Sequence, residues 1–190
     1  DYISSSFYDF RLKPHSVTSE RSVALELKDI KDKGIFYVPT QHTDCTQRSD
    51  EEGKLINEYF KKILGKTSTD NGENKKIDHD DIMVVAPFNM QVNNLKKIIN
   101  KKESRVGTID KFQGQEAKVV FISMTSSDPE NLPRHKEFFF SRNRLNVAIS
   151  RAQCVAVILF NPNLLLTNCQ KINEMRLVNN FCKLLKYKIL

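Results

Sequence analysis

Residues Asp81–Leu95, DIMVVAPFNMQVNNL, carry the reading that decides the fold. Ile82 to Ala86 form an unbroken apolar run stopped by Pro87, the pattern of a strand covered on both faces rather than one with a wet side. Val92, Leu95, Ile98 and Ile99 then share one face at helical spacing. A strand followed by its covering helix is the unit from which parallel sheets are built. The same rhythm extends outward. Upstream, Gly34–Pro39 (GIFYVP) is a short β-rich run, and Ser49–Leu64 carries Leu55, Ile56, Tyr59, Phe60, Ile63 and Leu64 at helical spacing. Downstream, Arg105–Ile109, Val119–Met124 and Val155–Phe160 are further strand candidates. Met175, Val178, Phe181, Cys182 and Leu185 line the apolar face of a closing helix whose lysines face solvent. The alternation predicts an α/β fold with a mainly parallel central sheet.

At 190 residues the chain is expected to form one domain, 1–190, large enough for a single core. Two polar stretches, 65–81 and 125–136, interrupt the rhythm and are predicted as surface loops, because strands resume on both sides. The balance of 30 Lys+Arg against 23 Asp+Glu leaves +7, which suits a polyanionic partner. No run of 18 apolar residues occurs, and the opening DYISSSFYDF lacks a signal-peptide pattern, so a soluble, intracellular protein (cytoplasm or nucleus) with no membrane contact is expected. The four cysteines make no CxxC pair, which argues against a zinc site or a disulfide framework.

Three stretches imitate sites. Gly65-Lys66-Thr67 suggests a phosphate loop, but that loop needs GxxxxGK[ST] between a strand and a helix. Here Phe60 stands at the first glycine position and a helix precedes, so Gly65 reads as a helix C-cap. No apolar strand ends in an Asp-Glu pair that would hold Mg²⁺. Asp78-His79-Asp80-Asp81 reads as a solvated turn, and His42 and Cys45 as loop residues without a second pair of ligands, so no metal site is expected.

The chemistry concentrates in VGTIDKFQGQEA, Val106–Ala117, followed 26 residues later by NRLNVAISRA, Asn143–Ala152. In the first, Gly114 is expected to let the backbone approach a neighbour that a side chain would exclude. Gln113 offers a donor and an acceptor from one amide, and Glu116 is acceptor-only when ionised. In the second, Leu145, Ala148, Ile149 and Ala152 make a buried stripe, while Arg144 and Arg151 lie seven residues apart on a common face. Arg151 falls at the carboxyl end of that helix, where the macrodipole favours a cation. A guanidinium stays ionised and forks onto phosphate oxygens.

In this order and spacing the two segments resemble motifs V and VI of superfamily 1 helicases, in the Upf-like and Dna-replication-helicase-like branch. Asp81–Leu95 resembles motif IV, a strand ending in Pro-aromatic with a glutamine three positions on, here Pro87, Phe88 and Gln91. The opening SSSFYDFRL resembles the segment after the family's YRMH motif, with Tyr8, Asp9 and Leu12 in place. The resemblance runs from about Ser5 to about Phe181. It departs at Gln115, at Gln153 where a second arginine is common, and at Phe88 in place of tyrosine.

This resemblance implies a RecA-like three-layer domain, the second (C-terminal) motor domain of an ATP-dependent helicase that translocates on single-stranded DNA or RNA and unwinds duplexes. It implies Arg151 as the arginine finger, a type of group that contributes on the order of 10³ to 10⁵ in rate. Gln113, Gly114, Glu116 and, as a helper, Arg144 would contact ATP, with Glu116 receiving a ribose hydroxyl. Pro87, Phe88, Gln91, Thr108 and Asp110 would contact nucleic acid, positioning the strand without reading its sequence. Motifs I, Ia, II and III do not occur in these residues. ATP with Mg²⁺ would therefore need a phosphate loop and metal ligands from an N-terminal RecA-like domain of the same protein, and the fragment alone is expected to be monomeric and inactive. The alternative is a basic α/β module that binds nucleic acid without coupling to ATP.

Overall fold

The computed structural model describes residues 2–13, 15–27, 30–100, 104–132 and 136–183. Its helices are α1 (Tyr2–Phe7), α2 (Asp50–Ile63), α3 (Asn89–Ile99), α4 (Lys136–Phe139), α5 (Arg142–Ser150) and α6 (Ile172–Cys182). Its strands are β1 (Ser22–Ala24), β2 (Gly34–Pro39), β3 (Thr67–Asp70), β4 (Glu73–Lys76), β5 (Ile82–Val85), β6 (Arg105–Gly107), β7 (Ala117–Ser123) and β8 (Ala152–Phe160).

Five strands form the central sheet in the order β2-β8-β7-β5-β6, and all four pairings are parallel. The period of two along each strand sorts side chains onto opposite faces. Val84, Phe121 and Val157 pack under α2 and α3 with Ile56, Phe60, Val92 and Leu95, while Val85, Ile122 and Ile158 pack under α5 and α6 with Leu145, Ala148, Val178 and Phe181. This is the three-layer α/β RecA-like arrangement. Because the strands are parallel, motif segments collect at two edges. The carboxyl edge carries Pro87 after β5, Thr108 after β6 and Met124 after β7, and the amino edge carries Arg105, Glu116 and Arg151.

The segment 65–81 differs from the expected loop. Thr67–Asp70 and Glu73–Lys76 pair antiparallel and join β1 in a second, three-stranded sheet. Asn71 (φ 51°) and Gly72 (φ 79°) make a two-residue turn whose positive φ angles match the twist of the flanking strands. Burial did not advertise the hairpin: Ser68 is its one buried strand residue, and all of β4 is exposed. Gly65 behaves as expected, at φ 78° just past the end of α2.

The second expected loop is not a surface loop at its start. Thr125, Ser126 and Ser127 are buried, and Ser127 is stitched to Cys45 by Ser127 N–H to Cys45 O (2.8 Å) and Cys45 N–H to Ser127 Oγ (2.9 Å). Residues 133–135 of that stretch lie outside the described residues. In α6 the buried positions are Glu174, Val178 and Phe181, whereas Met175 is exposed, one residue out of phase with that stripe; Leu185 lies outside the described residues. Among the described residues no helix is long and apolar enough to cross a membrane.

Candidate functional site

The segment after β6 runs back across the α5 face of the sheet, from Thr108 at the carboxyl edge to Glu116 at the amino edge. Ile109–Phe112 form a 3-10 turn, and Phe112 is buried in the core beneath α5. Gly114 then reverses the chain at φ +78°, closed by Gln115 N–H to Phe112 O (3.1 Å). A Cβ at Gly114 would meet nothing within 4 Å, so the close approach expected of this glycine does not occur. The left-handed backbone is what calls for glycine there.

Glu116 and Arg151 are brought together, because they immediately precede and open the paired strands β7 and β8: Ala117 N–H donates to Arg151 O at 3.0 Å. Arg151 caps α5, whose end it holds by Nε–H to Val147 O (3.1 Å) and Nη2–H to Ser150 Oγ (3.2 Å). Its Nη1 lies 3.4 Å from Gln115 O. The Gln153 amide donates to Glu116 Oε2 at 3.1 Å. Gln113 is exposed in the same turn. The amino edge thus presents an exposed carboxylate, an exposed amide and a half-buried guanidinium, a set able to meet a sugar hydroxyl and a phosphate oxygen.

Arg144 is not part of that group. It sits in the first turn of α5, seven residues or about 10 Å from Arg151 along the axis. Its Nη2 pairs with Asp110 Oδ2 at 3.4 Å, and its guanidinium lies 4.3 Å from the centre of the Phe138 ring. The supposed ATP helper and a supposed nucleic-acid contact are therefore partners of each other at the carboxyl edge.

At that edge an open cleft of about 1370 Å³ is bordered by Pro87, Phe88, Asn89, Met90 and Phe138. Thr108 is half-buried at the head of the 3-10 turn, and Asp110 is exposed. Among the described residues, Glu130, Glu137 and Glu174 on the cleft wall outnumber Lys136 and Lys171. Two expected contacts fail here. Phe88 is 5% exposed and packs against Phe138 and Phe139.

Gln91 is fully buried. Its Oε1 accepts from Ser49 N–H (2.9 Å), and its Nε2 donates to Ser49 O and Ser123 Oγ (both 3.0 Å). No donor is left for a nucleic acid.

Gln91 belongs to a buried polar cluster that the sequence reading missed. Ser49-x-x-Glu52 has the form of a capping box, and Ser49 Oγ does accept from Glu52 N–H (3.2 Å). The reciprocal bond is made by Gln91 instead. That frees the Glu52 carboxylate, fully buried, to accept from His42 Nε2 (2.9 Å), Ser123 Oγ (2.5 Å) and Thr125 N–H (3.0 Å). His42, expected to be a loop residue, is buried. Thr125 stands at φ 65°, a strained angle for a β-branched residue, and is held there by Glu52. Asp78–Asp81 forms the expected turn, with Asp78 Oδ1 accepting from Asp80 N–H at 2.9 Å. Among the described residues no group of three or more His, Cys, Asp or Glu side chains could hold a metal ion.

Fold and motif order define a RecA-like domain of the helicase type. An AAA domain family matches residues 1–163, and the chain belongs to that family as a C-terminal superfamily 1 helicase domain of the Upf-like branch. It is 34% identical over 127 residues to a Danio rerio protein named as a helicase, mov-10-B.1, a match covering 60% of this chain and 12% of that protein. It is 33% identical over 96 residues to the RNA helicase Mov10l1 of Mus musculus, covering 47% and 8%. It is 25% identical over 174 residues to the DNA polymerase alpha-associated DNA helicase A of Schizosaccharomyces pombe, covering 84% and 26%. The matches thus span between 8% and 26% of the length of these relatives.

Proposed function

We propose that this domain is the second motor domain of an ATP-dependent helicase acting on single-stranded nucleic acid, and that its amino edge is one wall of an ATP site completed by an N-terminal RecA-like domain. The convergence of Glu116 and Arg151 at the start of β7 and β8, with Gln113 exposed in the turn that leads into Glu116, carries this reading. The donor set fits a nucleotide: Glu116 can accept from ribose hydroxyls, Gln113 can bridge, and Arg151 can turn from its own helix end onto a phosphate oxygen. ATP supplies a phosphoanhydride whose cleavage drives the opening and closing of the cleft between two motor domains. Arg151 acts as the finger, neutralising charge that builds on the transferring phosphoryl group. In this reading the metal ligands and phosphate loop would be supplied by the partner domain.

At the carboxyl edge, Pro87, Thr108 and the first turn of α3, which has no side-chain cap, are the contacts for a phosphate-sugar backbone. Gln91 and Phe88 act indirectly, by fixing that turn. The Arg144–Asp110 pair ties the nucleic-acid edge to the helix that ends in Arg151, a short mechanical path between the two edges.

The test is ATP turnover by the full-length protein, with and without single-stranded DNA and RNA, for wild type and Arg151→Ala. Strand-stimulated turnover should fall by roughly a hundredfold or more in the variant while the fold survives. Wild-type turnover that is absent, or indifferent to the substitution, would leave the alternative, a nucleic-acid-binding module without ATP coupling. Its signature is affinity that falls steeply with salt and ignores nucleotide.

A further inference from the structure

Arg105 opens β6 at the outer edge of the central sheet, two strands from β7. Its guanidinium nevertheless reaches back over the start of β5 to the FQGQE turn. Nη1 donates to the carbonyls of Asp80 (2.6 Å) and Glu116 (2.9 Å), and Nη2 donates to Oε1 of Gln115 (3.0 Å). The guanidinium carbon lies 5.9 Å from the centre of the Phe112 ring. Both ends of the turn therefore touch one side chain. From the opposite side, Arg151 approaches Gln115 O and Gln153 holds the Glu116 carboxylate.

The turn does not need Arg105 in order to close. Gly114 at φ +78° and the Gln115 N–H to Phe112 O bond already do that. What the fork adds is the orientation of the 115–116 peptide, and with it the placement of Glu116 relative to Arg151. Gln115 also gains a reason: its amide oxygen accepts from Arg105, where a second cation would repel it.

The geometry points to Arg105 as a positioning residue for the nucleotide-facing turn, its guanidinium holding the 115–116 peptide, and with it Glu116, in place beside Arg151 before nucleotide binds. This assignment rests on reading the amino edge as half of an ATP site. Preorganised contacts of this kind strengthen binding by lowering the cost of ordering, so the effect belongs in nucleotide affinity rather than in the chemical step.

The experiment is steady-state ATP turnover by the full-length protein at saturating single-stranded nucleic acid, comparing Arg105→Ala, Arg105→Lys, Gln115→Ala and the Arg105→Ala/Gln115→Ala double variant with Arg151→Ala. Arg105→Ala should raise KM for ATP about tenfold, the effect of losing one well-oriented hydrogen bond, with kcat falling less than about threefold. Arg105→Lys should recover only part of the loss, because an ammonium cannot fork over three acceptors. The double variant should be no worse than Arg105→Ala, since the Gln115 side chain acts through its bond to Arg105. A merely structural role would lower the melting temperature and the active fraction, reducing apparent kcat at constant KM, and that result overturns the assignment. If Arg151→Ala abolishes turnover while KM of Arg105→Ala is unmoved, only the Arg105 assignment falls. If Arg151→Ala leaves turnover intact, the ATP-site reading falls and takes this one with it.

Discussion

Gln91→Ala separates a buried clamp from a nucleic-acid contact. The side chain is fully buried, as is Ser49, whose backbone it grips from both sides. In the variant Ser49 O keeps a weak donor, Asn94 Nδ2 at 3.4 Å, and Ser123 Oγ keeps its bond to Glu52. Ser49 N–H loses its acceptor. An orphaned buried N–H costs about 1–3 kcal/mol. Deleting the buried side-chain atoms adds about 1–2 kcal/mol of lost burial and cavity. A total near 3 kcal/mol, divided by a urea slope of roughly 2 kcal/mol per molar, lowers the denaturation midpoint by about 1.5 M. The assay is urea unfolding followed by far-UV circular dichroism, with strand affinity of the folded fraction measured alongside. A stability loss under about 1 kcal/mol together with a tenfold loss of strand affinity would refute the clamp and return Gln91 to the nucleic-acid surface.

Gly114→Ala should cost about 1–2 kcal/mol through the left-handed backbone alone, since the space beside the residue is open, and Gly114→Asn less, because asparagine's short polar side chain visits that region more readily; thermal melts that rank Asn below Ala would contradict this. Thr125→Gly keeps the N–H that Glu52 holds and relieves φ +65°, so the variant should unfold within about 1 kcal/mol of wild type despite full burial, whereas Glu52→Ala, which strips His42 of its partner, should lose about 3–5 kcal/mol. Burial pushes the Cys45, Cys154 and Cys182 thiols up. At pH 8 each should therefore hold less thiolate and carboxymethylate more slowly than a cysteine in an unfolded peptide, and peptide mapping that finds them as fast as that reference would count against their burial.

The edges of the sheet explain why some residues could be read in advance and others could not. The unbroken apolar run of β5 and the 3.6-residue spacing of α3 are local signals, and burial on both faces of a parallel sheet leaves no other home for them. Glu116 and Arg151 come together because parallel pairing of β7 with β8 forces their starts side by side. Arg144 shares a helix with Arg151, but an antiparallel return over the sheet puts its two ends at opposite edges. The hairpin at 67–76 was missed because its strands are polar; its one local sign was Asn71-Gly72, which alone carries the turn. Glu52 and His42 carry no periodic signal, since a buried carboxylate becomes tolerable only when donors from separate segments, here His42 and the 123–125 stretch, converge on it.

By itself the sequence determined the α/β class, the order of the central-sheet strands along the chain, and the family, because each depends on spacing within one segment or on motifs in a fixed order. Tertiary structure alone decided which polar side chains remain available. Gln91 was consumed by Ser49, Glu52 was diverted from its cap to Thr125, Arg144 was paired with Asp110, and Arg105 was recruited from an edge strand to the FQGQE turn. The physical reason is that a polar group's role depends on which donors and acceptors lie within about 3 Å of it, and those neighbours come from distant parts of the chain.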